Sequence, residues 1–275
     1  MYTFNCKGRL LILNQPIVMG IINVTPDSFY SGSRIQTQDA LLREAEKMLK
    51  DGAKMLDIGG MSSRPDAADI TVEEELKRVL PAVETISRNF PEAFISVDSY
   101  RLEVVENALA AGASMINDIS GGNDPAIPDL AARWLVPYIC MHMRGTPQTM
   151  KKLTHYDDLI REVLDYFILR KSECIQRGIK DLIIDPGFGF AKKHAQNFQL
   201  LKHLSVLQML ELPVLAGLSR KSSIYKTLGT TSEESLNGTT VMNTLALQNG
   251  ASILRVHDVK EAVETIRLWM SYTNA

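Results

Sequence analysis

Polar side chains able to do chemistry recur in this sequence at the ends of short apolar runs. In chain order they are Asn23, Asp57, Asp98, Asn117 with Asp118, His142 with Arg144, Asp185, Ser219-Arg220-Lys221, and Arg255 with His257. One such end would be ordinary capping; a whole series in the same phase predicts a polar cup. Asp98, Asn117 and Asp185 offer carboxylate acceptors and an amide. They suit a flat heterocycle with an amidine-like edge, because a ring N–H and an exocyclic amine bond a carboxylate in bidentate fashion. Arg64, Arg255, His257 and Lys221 offer donors for a phosphate or carboxylate. The residue types together point to a polar heterocycle with an anionic group. No Ser or Cys nucleophile is expected, since Ser219 has no paired base visible in the sequence.

The elements that must position these groups follow from a recurring phrase. A helical stretch ends in Gly, and a short apolar run then stops at a polar residue. Gly52 leads into Met55–Asp57, Gly112 into Met115–Asn117, Gly178 into Leu182–Asp185 and Gly250 into Ile253–Arg255. Glycine tolerates the left-handed conformation just past a helix end. The short bounded runs read as strands buried on both faces. Between them Ile17–Ile22, Phe94–Val97, Tyr138–Met141 and Val214–Gly217 supply four further strand candidates. Tyr156, Leu159, Ile160, Val163, Leu164, Phe167 and Ile168 mark one face of a helix. Thr71 to Glu74 and Thr231 to Glu234 read as capping boxes opening two more. Strict alternation predicts a parallel sheet, and eight units close most simply into an α/β fold of the (β/α)8, or TIM-barrel, type. An open doubly wound sheet is the alternative. With no linker or low-complexity segment, residues 1–275 read as a single domain.

Bulk properties exclude several classes. With 30 basic and 32 acidic side chains, the formal net charge of -2 predicts neither nucleic acid nor a membrane surface as partner. No run approaches the ~18 apolar residues of a membrane span. Leu10 to Leu13 is too short for the apolar region of a signal peptide, so a cytoplasmic location is expected. Cys6, Cys140 and Cys174 lie far apart, as free thiols in a reducing compartment would.

The motifs along the chain then carry a resemblance. Met19-Gly-Ile-Ile-Asn-Val-Thr-Pro-Asp-Ser-Phe29 and Gly59-Gly-Met-Ser-Ser-Arg-Pro65 resemble the two signatures of the dihydropteroate synthases. Ser96–Ser99, Asn117–Gly122, Met141–Gly145, Asp185–Phe190, Gly217–Ser222 and Arg255–Val259 follow in that family's order, so the resemblance covers about residues 17 to 260. It implies condensation of a dihydropterin pyrophosphate with p-aminobenzoate, in the pathway that sulfonamides block, with ordinary sensitivity to those drugs. It implies Asn23 as a ligand of Mg2+, and Arg255 with His257 as the pair that binds pyrophosphate. Asp98, Asn117 and Asp185 match the pterin-binding residues, with Met141, Phe190 and Gly217 as pocket walls. Lys221 matches the lysine between the two substrate sites. Ser222 is expected to touch the p-aminobenzoate carboxylate. Residues Thr25 to Ser33, and Ser63, Arg64 and Pro65, match two mobile loops. Asp98, Lys221 and Asp185 are the expected catalytic residues. The family is usually homodimeric, and Trp269 and Met270 of the last helix are interface candidates, with a core position as the alternative. Departures are few: Ser63 where Thr is common, Asp66 where Gly is common, and a first loop with fewer glycines, which bears on loop closure.

Blander readings stand beside these. Asp57 reads equally as a brace of the barrel floor and is left outside the candidate site. His142 and Arg144 read equally as surface groups, and Asp185-Pro186-Gly187 as a plain turn. The 12 methionines read as core packing. A corrinoid methyltransferase would share the barrel and the pterin carboxylates but not the basic ends at Ser219–Lys221 and Arg255–His257. A non-catalytic pterin-binding barrel would have lost some acid, lysine or anion-binding positions, and none is lost.

Overall fold

The computed structural model describes residues 1–24, 34–61 and 70–275. The chain opens with an antiparallel hairpin that the sequence reading did not anticipate. Strand β1 (Tyr2–Cys6) pairs with β2 (Arg9–Leu13), Tyr2 opposite Leu13 and Cys6 opposite Arg9. Its turn holds Lys7 and Gly8, at φ 55° and 86°. A two-residue hairpin turn of type I′ has positive φ at both positions, and glycine supplies one of them without strain.

All eight expected strands form. They are β3 (Ile17–Asn23), β4 (Met55–Gly59), β5 (Phe94–Asp98), β6 (Met115–Asp118), β7 (Tyr138–Met141), β8 (Leu182–Asp185), β9 (Leu215–Ala216) and β10 (Ile253–Val256). They pair in parallel in the order β8-β7-β6-β5-β4-β3-β10-β9. A parallel bridge between Ile184 and Val214 joins the two ends of that order, and Ile184 N–H donates to Pro213 O at 3.1 Å. The sheet therefore closes into a (β/α)8 barrel, and the open doubly wound alternative falls.

Helices connect the strands: α1 (Arg34–Lys50), α2 (Val72–Asn89), α3 (Leu102–Ala111), α4 (Ala126–Trp134), α5 (Leu159–Gln176), α6 (His194–Lys202), α7 (Ser222–Leu228), α8 (Leu236–Gln248) and α9 (Val259–Thr273). Thr71 caps α2 as expected, its Oγ1 accepting from Glu74 N–H. Thr231 makes the same bond to Glu234, but there it closes a turn; α8 opens later, at Leu236. The α5 helix starts at Leu159, capped by Asp158, so Tyr156 precedes it. Ile168, placed on the buried face by its spacing, is 48% exposed.

Side chains alternate along each strand, and this alternation builds the site. Val18, Leu56, Ile95, Val97, Ile116, Cys140, Ile184, Ala216 and Leu254 face the helices in one large core. Their neighbours Met19, Met55, Met115, Ile139, Ile183, Leu215 and Ile253 form a second core inside the barrel. Phe4, Cys6, Leu11 and Leu13 of the hairpin belong to that inner core and close the barrel at its N-terminal end. Two residues further along the strands, the inward positions become Asp57, Asn117, Met141, Asp185, Gly217 and Arg255. An apolar floor thus carries a mostly polar layer, and the period of two makes that change visible on one face only.

Phe4→Ala should remove the hairpin's grip on the barrel floor without touching the polar layer. The expected loss is about 3–5 kcal/mol in urea unfolding. Activity well below the unfolding midpoint should stay near that of the parent protein, and a loss of activity without a loss of stability would contradict this division.

Candidate active site

The floor of the cup is an ion-pair network across three strands. Arg255 Nε donates to Asp57 Oδ2 at 2.6 Å, and its Nη2 donates to Asp98 Oδ2 at 2.5 Å. Asn117 Nδ2 donates to the same Asp57 oxygen at 2.9 Å. Asp57 and Asn117 are buried, while the Arg255 and Asp98 side chains are 18% and 16% exposed. Burial, with the Asp57 and Glu75 carboxylates adding to it, lifts the Asp98 carboxyl to about 7, against the pull of Arg255 and Lys221. The flanking carboxylates hold Arg255 firmly protonated against the cost of its burial. Asp57, left out of the sequence-derived site, is thus the residue that fixes Asn117 and Arg255 together. Its place in the period-two register with Asn117 and Arg255 is the signal that could have marked it.

Asp185 stands at the end of β8, buried, its carboxyl raised by burial against the opposing effects of a bond from Gly187 N–H at 2.8 Å and of the Lys221, Arg255 and Lys192 cations. Met141 and Phe190 share a small apolar cluster above the inner core. Lys221 Nζ lies 4.5 Å from the centre of the Phe190 ring, within cation–π range. A side chain at Gly217 would meet Asp185 Oδ2 at 3.9 Å, so that wall is open and its glycine lets a flat ligand approach. Ser222 opens α7, directly after Lys221.

Four of the polar residues that follow the strands instead hold the cup together. Arg220 adopts φ 54°. Its guanidinium grips Asp258 in bidentate fashion at 2.9 and 2.8 Å and donates to Ser232 O and Glu233 O. Asp118 accepts from Ser120 N–H, Gly122 N–H and Tyr138 Oη, shaping the turn after β6. Arg144 lies over the Tyr156 ring and pairs with Glu162, and His142 is buried rather than at the surface.

Lys192 is a further residue that the sequence did not single out. It is buried, and its Nζ bonds His142 Nδ1 at 3.0 Å, Gly187 O at 3.0 Å and Phe190 O at 3.1 Å. Burial lowers Lys192 to about 7 and His142 to about 2, so His142 accepts this bond as a neutral ring. The lysine ties β7 to the turn that carries Asp185 and Phe190. That turn has no room for bulk: a Cβ at Gly187, φ 70°, would lie 2.1 Å from His142 O.

At the opposite rim Ser219 Oγ lies 3.0 Å from His257 Nδ1 and accepts from the His257 backbone N–H at 3.2 Å. His257 is exposed at the rim, and the protein packed round it, with the Arg255, Arg220 and Lys221 cations, lowers the imidazole to about 4. Asn23 ends β3 with an exposed side chain at the rim. Among the described residues no group of three or more His, Cys, Asp or Glu gathers as a metal site. A single neutral oxygen donor at an open rim fits a Mg2+ ion that is held mainly by phosphate and water. Ser63, Arg64 and Pro65, and the first loop from Thr25 to Ser33, lie outside the described residues.

The cup therefore brings Asp98, Asn117, Asp185, Met141, Phe190, Gly217, Lys221, Arg255 and His257 to one end of the barrel. Its charges are sorted, with carboxylates on the floor and cations towards the β9 and β10 ends. Comparison with known proteins identifies the family. A family of pterin binding enzymes matches residues 19–257. Dihydropteroate synthase of Escherichia coli K12 is 44% identical over 264 residues, 95% of this chain and 93% of that protein. The structure of Xanthomonas albilineans dihydropteroate synthase with 4-aminobenzoic acid superposes with a TM-score of 0.92 at 42% identity, covering 99% of this chain and 98% of that one. The complex of the synthase from the same organism with 7,8-dihydropteroate gives 0.89 at 40% identity over the whole of both chains.

Asp57→Ala should leave the Arg255 guanidinium half-paired and Asn117 without its anchor. The expected cost is about 3–5 kcal/mol in chemical unfolding, as for other buried pairs broken on one side. Parent-like stability would show that Asp98 alone suffices to hold Arg255.

Proposed function

The chain belongs to the pterin-binding enzymes and, within them, to the dihydropteroate synthases, and from that premise we propose how its cup divides the labour. The reaction joins 6-hydroxymethyl-7,8-dihydropterin pyrophosphate to p-aminobenzoate, giving 7,8-dihydropteroate and pyrophosphate, a pterinylmethyl transfer in folate biosynthesis. The observation that carries the assignment of roles is the polar layer centred on Arg255, with Asp98, Asn117 and Asp185 around it. The two carboxylates and the amide suit the amino and ring N–H edge of a pterin, and Met141, Phe190 and Gly217 suit its faces. Lys221, over the Phe190 ring, would stand between the pterin position and the Ser222 end of α7, where p-aminobenzoate would lie with Ser63, Arg64 and Pro65.

Breaking the C–O bond to pyrophosphate leaves positive charge on the pterin methylene. Asp98, as a carboxylate, stabilises that charge, while Arg255 and His257 receive the anion that leaves. Arg255 has Nη1 and one Nη2 hydrogen outside its two ion pairs, so it can bond an anion without releasing the floor. The amine of p-aminobenzoate attacks the methylene carbon directly and loses its proton afterwards, so no protein nucleophile is required. Asn23 would hold a Mg2+ ion by its amide oxygen, and the ion when bound supplies charge neutralisation to the pyrophosphate.

A second copy of this chain is the proposed partner. No helix among the described residues is long and apolar enough to cross a membrane, and the charge balance favours no nucleic acid. We place the enzyme in the cytoplasm, with its three cysteines free and buried. The expected interface residues shift by a few positions. Trp269 and Met270 pack against the main core, and Trp269 Nε1 donates to Gln248 Oε1. The exposed apolar residues of α8 and α9 are Val241 at 52%, Leu245 at 44%, Leu268 at 74% and Tyr272 at 75%. These form two i,i+4 pairs on helices that pack against each other, exposed apolar surface that a second copy would cover.

The purified protein should release pyrophosphate from the pterin substrate only when p-aminobenzoate and Mg2+ are present, with dihydropteroate as product. Because Asp98 acts deprotonated and its carboxyl lies at about 7, kcat/KM for the pterin should rise with pH up to about 7 and level above it. Asp98→Asn should keep the fold, lose about a hundredfold or more in rate, and lose that acid limb. Release independent of p-aminobenzoate would defeat the assignment of the reaction, and near-normal turnover in the variant would defeat the role of Asp98. Sedimentation should show a dimer at micromolar concentration that Leu268→Lys with Tyr272→Lys dissociates; a monomeric parent protein would end the dimer proposal.

A further inference from the structure

Ser219 was read from the sequence as a hydroxyl without a base, and the fold gives it one. Its side chain sits at the end of β9, buried, between the ring and the backbone of His257 at the end of β10. We propose that Ser219 is a positioning residue: its hydroxyl donates to His257 Nδ1 and holds the imidazole in the tautomer that carries its proton on Nε2, so that an N–H donor faces the departing pyrophosphate. The inference rests on the synthase reading for the identity of the anion, but the tautomer itself does not.

The direction of the bond follows from the contacts of one oxygen. Ser219 Oγ already accepts the His257 backbone N–H at 3.2 Å, which leaves its own hydrogen to find an acceptor. His257 Nδ1, at 3.0 Å, is the acceptor in reach. The reverse orientation would make Oγ accept twice and leave a buried hydroxyl hydrogen unmatched, at a cost of about 1–3 kcal/mol. It would also present the bare Nε2 lone pair to an anion. The two bonds run to the same residue, so they fix the plane of the ring as well as its tautomer, in the way that a partner on one imidazole nitrogen sets the role of the other.

The neighbourhood explains why a neutral donor belongs here. Arg255 and Asp258 flank His257 on its own strand end, and Arg220 and Lys221 face it from the turn after β9. Arg220 and Asp258 neutralise each other in a bidentate pair. Arg255 and Lys221 already supply positive charge to the cup, so a third cation at His257 would be repelled. A neutral Nε2–H adds a directed bond to the anion without adding charge. The Arg220 pair has a second consequence. It anchors the turn between β9 and α7 to the end of β10, and so keeps Ser219 within reach of the ring.

The test combines a signature of the tautomer with a measure of anion binding. The chain has five histidines, so two-bond 1H–15N correlation spectra of the full-length labelled protein resolve each ring, with the His257 signals identified as those lost in His257→Phe. The parent protein should show His257 protonated on Nε2 alone. Ser219→Ala should give a mixture of tautomers, and its affinity for magnesium pyrophosphate by calorimetry should fall about two- to fivefold, in proportion to the share of the Nε2–H form that is lost. Ser219→Thr should restore both. Retention of the pure Nε2–H tautomer in Ser219→Ala would overturn the assignment, as would an unchanged pyrophosphate affinity in that variant. A parent protein that holds the tautomer and binds pyrophosphate, yet forms no dihydropteroate, would support this assignment and sink the synthase reading.

Discussion

The pairing of Arg255 with both Asp57 and Asp98 is the constraint on which the cup depends. Three charged groups meet at the floor of a barrel, two of them carboxylates close enough to repel. Taking such groups out of water is costly unless each finds a partner of opposite charge in good geometry. The guanidinium supplies that partner because its Nε and Nη2 hydrogens diverge towards two separate carboxylates. Lysine would offer all its donors from one nitrogen and could not match two carboxylates placed at the separate positions of Nε and Nη2. The strand register follows from the same pairing. Arg255 lies beside Met19, and Asp57 lies beside Ile21, so the ion pair reaches over β3, which stands between their strands. A slip of one residue in β10 would turn Arg255 towards the helices and leave two buried carboxylates facing each other.

Around that floor, the residues that hold the ligand walls are different from those that would touch ligands. Lys192 fastens the turn carrying Asp185 and Phe190 to β7 through His142. Arg220 fastens the turn carrying Ser219 and Lys221 to Asp258. Each is a cation beside the site whose donors are spent on protein acceptors. Such fastening keeps the walls in place while the cup is empty, which is what preorganisation requires. The two turns meet where Lys221 Nζ lies over the Phe190 ring, so both fastenings act on one contact.

The fold was legible because glycine-terminated helices and short apolar runs recur in phase, and all eight expected strands formed. The β1–β2 hairpin was missed because its alternation is brief and its turn is carried by Lys7 and Gly8, an uncommon pair for positive φ. Most candidate residues converge because each ends a strand on the inward register. What the sequence hid were partnerships between distant positions. Asp57 and Arg255 are 198 residues apart, and Ser219 and His257 are 38 apart. A single sequence shows that a residue is polar and at a strand end. Whether it then binds a ligand, as Asp98 is placed to do, or braces a neighbour, as Asp118 and Arg220 do, is decided by side-chain direction at the last residue of the strand. Arg220 shows the point sharply, since its guanidinium is taken up by Asp258, Ser232 O and Glu233 O, while the neighbouring Ser219 reaches the His257 ring.

The sorting of charge in the cup explains how a nearly neutral protein handles a strongly anionic substrate. With 30 basic against 32 acidic residues, no long-range field draws the pyrophosphate in. Attraction is local, from Arg255, Lys221 and the donors at the β9 and β10 ends. The same residues cannot lie beneath the pterin, where they would oppose the positive charge that forms as the C–O bond breaks. Arg255 escapes this conflict because Asp57 and Asp98 already compensate it on the floor side. Its charge is screened towards the developing cation, and its remaining donors are left towards the departing anion. On the proposed division of roles, the buried Asp57 would serve the reaction without touching a substrate, by letting one arginine stand between a cation and an anion and favour both.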